Sequence, residues 1–322
     1  MNNLIINNFQ LLIQQYNDEK PSNYSFKIRT CNKLIQYINK LDFELESSKQ
    51  LNDIKGIGKK TLDKIDEIIN SDTKLLKEIK KTNDSNDTIE KKIKNNQEIQ
   101  KLKSITGIGP AKAKLLIEKN ITLEILLEAY KNKNNNILSL ITHHQLLGLK
   151  YYEDLKYKIP RNIIKNFDYK LKKIFSNYNY KICGSYRRDK NESGDIDLLF
   201  SFHNNFDLES IVNTLTEQGI IVDSLTEKGE TKFMGFAKLD DYKYAIRIDI
   251  RIVPTISFPF AILYFTGSKK TNTIMRNIAI KMNLKLSEYG LEDKNGKYIE
   301  GLKSEQDIFE YLKLDYINPK DR

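Results

Sequence analysis

Along the first 80 residues, apolar side chains recur three and four positions apart: Leu34, Ile35 and Ile38, then Leu62, Ile65, Ile68 and Ile69. Such spacing lines one face of a helix and predicts a small helical domain. Residues 80–100, KKTNDSNDTIEKKIKNNQEIQ, are polar and charged, which predicts a connecting segment with an exposed helix in its second half. Helical periodicity resumes at Leu115, Leu116 and Ile117 and at Leu126, Leu127 and Tyr130, until Ile159-Pro160-Arg161 interrupts it. After Tyr180 the period shortens to two: YKIC, DIDLLF, FMGFAKL and YAIRIDIRIV read as strands, with ILYF at 262–265 a weaker one. A helix returns in SEQDIFEYLKL, with Ser304 as its cap. The pattern predicts a multidomain α+β chain, helical first and sheet-based later.

Charge adds a partner class to this outline. The 322 residues carry 53 Lys and Arg against 43 Asp and Glu, a net +10, with 39% hydrophobic residues. That composition supports two or three modest cores under a basic surface, and a polyanion is the partner such a surface attracts. Cys31 and Cys183 are the two cysteines. Their separation fits neither a disulfide framework nor a zinc site, and a reducing intracellular compartment is expected. The start MNNLIINNFQ lacks the basic opening and long apolar core of a secretory signal, and no apolar run approaches the roughly 18 residues of a membrane span. A soluble protein without a membrane partner is expected; nucleus and viral or bacterial-type cytoplasm are not distinguished.

Two segments repeat each other, DIKGIGKKTLDKI at 53–65 and SITGIGPAKAKLL at 104–116. Each sets a Gly-Ile-Gly turn, Gly56 to Gly58 and Gly107 to Gly109, before a Lys-rich helix start. Glycines allow the tight turn, and backbone N–H groups at a helix start can point at a phosphate oxygen. This is a helix-hairpin-helix signature, and its contacts with sugar and phosphate predict salt-sensitive DNA binding largely independent of sequence.

Within GSYRRDKNESGDIDLLF, residues 184–200, the strand DIDLLF places Asp195 and Asp197 on one face and Ile196 and Leu198 on the other. In RIDIRIV, Arg247, Asp249 and Arg251 share a face. A strand-borne aspartate taken alone is most often solvated or paired with a nearby arginine. Three gathered on one sheet repel one another, an arrangement suited to holding divalent cations. Two such ions can activate a 3′-hydroxyl and neutralise a triphosphate, and the Gly184-Ser185 turn with Arg187 and Arg188 offers donors for phosphate oxygens.

With HHQLLGLKYYEDL (143–155), GETKFMGF (229–236), RIDIRIVP (247–254) and LYFTGS (263–268) added to these residues, the chain resembles the family X DNA polymerases of the DNA polymerase beta type over nearly its full length. The resemblance implies a helical lyase-like domain at 1–82, a polar connector at 83–99, and a second helix-hairpin-helix subdomain at 100–159. A nucleotidyltransferase-type catalytic palm at 160–257 and a nucleotide-selection subdomain at 258–322 would follow. It implies that Asp195 and Asp197 ligate two Mg²⁺ ions, with Mn²⁺ able to substitute, and that Asp249 ligates the catalytic one and takes or relays the 3′-hydroxyl proton. Ser185, Arg188 and Gly194 would hold the β- and γ-phosphates. Tyr264, Phe265 and Gly267 would exclude a ribose 2′-hydroxyl, Asn272 would touch the base edge, and Arg276 the template. Lys269 stands where DNA polymerase beta carries an acidic residue, and Lys158 where an arginine is usual. A monovalent cation at the helix-hairpin-helix turns is also implied.

Lys60 and Lys64 lie four apart on one helix face, and their repulsion is expected to favour a neutral amine on one of them, the form a Schiff-base nucleophile requires. By resemblance Lys64 is the lysine that attacks a 5′-deoxyribose phosphate, with Lys60 and Lys77 as phosphate partners; Tyr24 and Lys27 are loose candidates for its companions. The reading that follows is a monomeric gap-filling repair polymerase of the base excision type, acting on gapped or nicked DNA and dNTPs, with lyase activity and other repair proteins as further partners. Template-independent or end-joining extension is the alternative within the enzyme class, and a catalytically silent DNA-end-binding scaffold the alternative outside it.

Overall fold

The computed structural model describes residues 1–322 apart from 40, 42, 53, 55, 73, 75, 81–85, 203–207 and 227–228, with backbone only at 80 and 86–93. It divides into two units, Met1–Asn132 and Lys133–Arg322.

The first unit carries α1 (Asn2–Glu19), α2 (Tyr24–Ile38), α3 (Lys59–Asn70), α4 (Lys77–Lys80), α5 (Asn86–Leu102), α6 (Pro110–Glu118) and α7 (Leu123–Lys131). Ile5, Phe9 and Leu12 of α1, Leu34 and Ile38 of α2, and Ile65 and Ile68 of α3 form its core, each at most 2% exposed. Of the stretch expected to connect domains, 83–85 lie outside the described residues and the remainder falls within α5. Its Leu102 is fully buried, while Asn96 and Gln97 hydrogen-bond Gln14 and Asn7 of α1. The two Gly-Ile-Gly turns are built alike. Gly56 and Gly107 sit at φ 93° and 88°, where side-chain-bearing residues are strained, and the N–H groups of Ile57 and Ile108 donate to the carbonyls of Ile54 and Ile105. Gly58 and Gly109 are then the extended N-caps of α3 and α6.

A buried polar residue fixes the end of this unit's core. Asn8 is fully buried; its amide donates to the Lys74 carbonyl at 3.0 Å and accepts from the Leu76 N–H at 3.0 Å. An orphaned polar group there would cost about 1–3 kcal/mol, so α4 is held against α1 by a specific lock.

The second unit runs α8 (Asn135–Leu138), α9 (His143–Lys150), β1 (Ile159–Pro160), α10 (Arg161–Ile174), β2 (Asn179–Ile182), α11 (Gly184–Arg187), β3 (Glu192–Ser193) and β4 (Asp195–Phe202). It continues with α12 (Leu208–Glu217), β5 (Ile221–Ser224), β6 (Lys232–Ala237), β7 (Ile246–Pro254), α13 (Phe258–Thr266), α14 (Lys269–Lys281), β8 (Lys285–Leu286), β9 (Leu291–Glu292) and α15 (Glu305–Tyr311). Five strands form one sheet in the order β2-β4-β7-β6-β5, with β4 and β7 parallel and the other pairs antiparallel. His143 opens α9 behind Thr142, whose hydroxyl accepts from the Gln145 N–H while the Gln145 side chain accepts from the Thr142 N–H; the HHQ segment thus begins a capped helix.

Alternation decides which sheet face is wet. Ile196, Leu198 and Phe200 on β4, and Ile246, Ile248, Ile250 and Ile252 on β7, bury against Ile164, Phe167 and Leu171 of α10 and Ile211 and Leu215 of α12. A slip of one residue would expose this set and bury the aspartates, forfeiting about 1.5–3 kcal/mol per large side chain.

The ILYF segment departs from expectation: it lies inside helix α13, not in a strand. A short, uniformly apolar run has no readable period. Here Pro259 in the first turn favours a helix, with Ile262 and Leu263 buried and Tyr264 and Phe265 half-buried. The C-terminal helix is capped by Ser304, whose hydroxyl accepts from the Asp307 N–H while the Asp307 side chain accepts from the Ser304 N–H.

Candidate active site

Because β4 and β7 run parallel in register, Asp195 lies opposite Arg247 and Asp197 opposite Asp249. The strand pairing therefore delivers three carboxylates to one patch. The turn before β4 closes over it: Gly184 has φ 56°, and a Cβ there would sit 2.2 Å from Asp197 Oδ2, so only glycine allows this approach.

Electrostatics register the crowding. Burial, followed by repulsion from Asp195 and Asp249, pushes the Asp197 carboxyl up to about 7, against the pull of Arg188 and Arg247. Burial and Asp249 raise Asp195 as well, with Arg247, Lys158 and Arg188 opposing. Arg247 donates from Nη2 to Asp249 Oδ1 at 2.6 Å, which occupies one of the oxygens facing the patch. Among the described residues, no group of three or more acidic, His or Cys side chains stands closed around a point that could hold an ion. The donor set is nonetheless all-oxygen and anionic, the chemistry hard divalent cations take. Asp249 would complete it by exchanging Arg247 for a cation.

Beside the carboxylates opens a cleft of about 530 Å³ lined by Ser185, Arg188, Asp195, Asp197, Tyr264 and Asn272, and also by Phe265, Gly267, Lys269 and Arg276. Asp249 faces an adjoining cavity of about 160 Å³ with Lys232 and Arg251, the two sharing Asp197, Tyr264 and Phe265 as walls. Ser185 Oγ is hydrogen-bonded to Ser193 Oγ at 2.8 Å, Arg188 donates to the Thr266 carbonyl at 2.6 Å, and Asn272 donates to the Tyr264 carbonyl at 2.8 Å. The Arg276 guanidinium lies 4.9 Å from the Tyr264 ring centre, and the peptide between Gly267 and Ser268 is cis. Gly194 is outside this lining; Lys158 Nζ stands 3.2 Å from where its Cβ would be.

A buried ion network underpins the cleft. Glu305, 7% exposed, accepts from Arg187 and from Arg322 Nη1, the latter at 2.6 Å, while Arg187 also donates to Thr266. The turn α11, helix α13 and helix α15 are thus tied together. Reading the sequence did not identify Glu305 or Arg322: Glu305 lies 118 residues from Arg187, Arg322 farther still, and neither carries a local motif.

In the first unit, Lys64 does not behave as its spacing from Lys60 suggests. Its Nζ is 2.6 Å from Glu78 Oε2 and 3.0 Å from the Tyr16 hydroxyl. Burial alone would lower its pKa, but the hydrogen bonds and charge of Glu78 and Tyr16 outweigh that and raise it. For Lys64 the expectation of a neutral amine is corrected: the ammonium form is favoured there, because a carboxylate at contact distance dominates the repulsion of a lysine on the same face. Lys60 and Lys77 are exposed. Of the loose companions, Lys27 lies 5.0 Å from the Tyr16 ring centre, while Tyr24 packs against the hydrophobic core.

Known families match in three stretches: a helix-hairpin-helix domain over residues 1–74, the DNA polymerase beta palm over 158–255, and the DNA polymerase beta thumb over 261–322. DNA polymerase lambda of Arabidopsis thaliana is 27% identical over 318 residues, covering 90% of this chain and 56% of that protein. DNA polymerase lambda of Rattus norvegicus is 30% identical over 208 residues, 58% of this chain and 36% of that protein. DNA nucleotidylexotransferase of Xenopus laevis is 25% identical over 234 residues, 59% of this chain and 46% of that protein. The matches thus span between about a third and just over half of these relatives' lengths. No helix among the described residues is long and apolar enough to cross a membrane. With palm and thumb matched in sequence order behind a helix-hairpin-helix domain, and three aspartates gathered on the palm sheet, the chain belongs to the family X DNA polymerases.

Proposed function

We propose that this chain is a DNA-directed DNA polymerase that fills short gaps, joining dNMP to a primer 3′-hydroxyl, and that its first unit removes a 5′-deoxyribose phosphate. The pairing of Asp197 with Asp249 across β4 and β7, beside a cleft lined by Ser185, Arg188 and Asn272, carries the reading. Asp195 and Asp197 would hold two Mg²⁺ ions and Asp249 the catalytic one. When bound, the ions lower the pKa of the 3′-hydroxyl and neutralise triphosphate charge. Asp249 takes or relays the hydroxyl proton. Ser185, Arg188 and the Gly194 backbone hold the β- and γ-phosphates, with Lys158 beside them. Tyr264, Phe265 and Gly267 close against the sugar and exclude a 2′-hydroxyl, Asn272 meets the base edge, and Arg276 meets the template. Gly56, Gly58, Gly107 and Gly109 shape turns for DNA phosphates, with a monovalent cation as an added ligand. Lys60 and Lys77 grip a 5′-phosphate. Primer extension on nicked, one-nucleotide-gapped and open templates tests this: the gapped substrate should be extended fastest. Silence on all three would favour the DNA-end-binding scaffold, and growth of a primer without template would favour the template-independent reading.

Divalent-ion affinity is expected to fall about tenfold per pH unit below about 7, because a proton on Asp197 must leave before the ion binds. The sign follows from the raised value. In the ion-free protein the protonated form is favoured on folding, so the stability Asp197 contributes is fully present below the ordinary carboxylate value and lost as pH rises through 7. Calorimetric Mg²⁺ titration without DNA reads this directly, and a flat affinity through neutral pH would contradict it.

Borohydride added during incubation with 5′-deoxyribose-phosphate DNA should trap a covalent adduct, since reduction turns a transient imine into a stable amine. Lys64→Ala should lose most of the adduct yet extend primers, because the aspartates belong to the other unit. Unchanged trapping in that variant would remove Lys64 as the nucleophile.

A further inference from the structure

Paired with Glu78, Lys64 favours the ammonium form, which cannot attack a carbonyl, so something must take its proton. Three other helices supply the groups that face it. Glu78 of α4 lies 2.6 Å from its Nζ, and the Tyr16 hydroxyl of α1 lies 3.0 Å from Nζ and 3.1 Å from Glu78 Oε1, closing a three-membered hydrogen-bonded ring. Cys31 and Lys27 of α2 also border the cluster, and Lys60 shares the helix face of Lys64; burial raises the Cys31 thiol to about 11, and Lys27 sits over the Tyr16 ring. The segment leading into Glu78 is anchored to both α1 and α3. The Asn8 lock holds Lys74 and Leu76 on α1, and the Lys77 N–H donates to Glu67 at 2.6 Å. The cluster is also open to a substrate, with Lys64 25% and Glu78 39% exposed.

We propose that Glu78 is the acid–base partner of Lys64 in imine formation, an inference that rests on the lyase reading above. Glu78 accepts a proton from the Lys64 ammonium, leaving amine and carboxylic acid. The amine lone pair forms the N–C1′ bond with the ring-opened sugar aldehyde, and the proton on nitrogen passes to the former carbonyl oxygen. Glu78 then returns its proton to the carbinolamine hydroxyl, the C–O bond breaks, water leaves, and the nitrogen lone pair completes the iminium. The carboxylate is regenerated, so ammonium and aldehyde become iminium and water with no oxidant or reductant. Tyr16 keeps both groups in line by donating to the carboxylate and accepting from Lys64.

Two measurements on full-length Glu78→Gln, whose fold is checked by its thermal transition, decide this. Acetylation of Lys64 by acetic anhydride, read by mass spectrometry of its peptide across pH, should begin at lower pH than in the wild type, because the partner charge is gone. Borohydride-trapped adduct with 5′-deoxyribose-phosphate DNA should nonetheless form about a hundredfold more slowly at neutral pH, the scale of lost general acid–base catalysis. If Glu78 merely tied the lysine down, the freed amine would form adduct as fast as wild type or faster, and that result overturns the proposal. An unmoved acetylation profile overturns it too. Glu78→Asp retains a carboxylate and should recover a large part of the rate; equal loss in both variants counts against proton transfer. Failure of the wild-type protein to form any adduct would sink the lyase reading with it, whereas a normal wild-type adduct with an unimpaired Glu78→Gln sinks this inference alone.

Discussion

Asp249→Ala should reduce nucleotide addition by more than about a hundredfold, the scale set by removing one preorganised charge-stabilising group, while gapped-DNA affinity stays within a few fold. Asp249 is the one carboxylate contributed by β7, and its neighbour across the ladder is Asp197. Its loss also frees Arg247, whose guanidinium now pairs with it at 2.6 Å, and leaves a cation where a cation must bind. The helix-hairpin-helix turns belong to the other unit and should grip phosphates as before. Single-turnover extension and gel-shift titration separate the two effects. Residual extension above about a hundredth of wild type would show that Asp249 is not required.

Glu305→Ala should destabilise the second unit by about 3–5 kcal/mol, because it strands buried positive charge. The Arg322 side chain has no exposure and Arg187 only 20%, and both point at Glu305. Burial by itself would raise the Glu305 pKa, but the two guanidiniums more than offset it and hold it below the usual carboxylate range. Its contribution is therefore present above the ordinary carboxylate value and lost as pH falls through the depressed one. Thermal unfolding followed by calorimetry should show the second unit's transition displaced downward at neutral pH, with the gap to wild type closing in acid. A shift too small to resolve would mean that water reaches the two arginines. Because the same network ties α11 to α13, the phosphate grip proposed for Ser185 and Arg188 should weaken with it.

The alternation in DIDLLF and RIDIRIV was sufficient to read two strands and the face each aspartate occupies, since period two is a local property. Which residues stand opposite across the ladder is not local, so the match of Asp197 with Asp249 had to come from the fold. ILYF shows the limit of pattern: with no polar positions to phase it, a helix inside the core and a strand look alike. The lysine cluster shows another. Lys60 and Lys64 are neighbours on one helix, so their mutual repulsion is legible from spacing alone. The stronger influence on Lys64 comes from Tyr16 and Glu78, brought to it by tertiary packing and the Asn8 lock. The Arg247 pairing was half legible, because Arg247 and Asp249 share a strand face two residues apart; whether the pair forms depends on side-chain geometry.

The most direct test of the central claim supplies each of the four dNTPs singly, with Mg²⁺, to four one-nucleotide-gapped duplexes differing only in the template base. The account predicts rapid addition of one nucleotide, chosen by the template base, that disappears on chelation of the metal. No addition on any duplex, or addition indifferent to the template base, would contradict it.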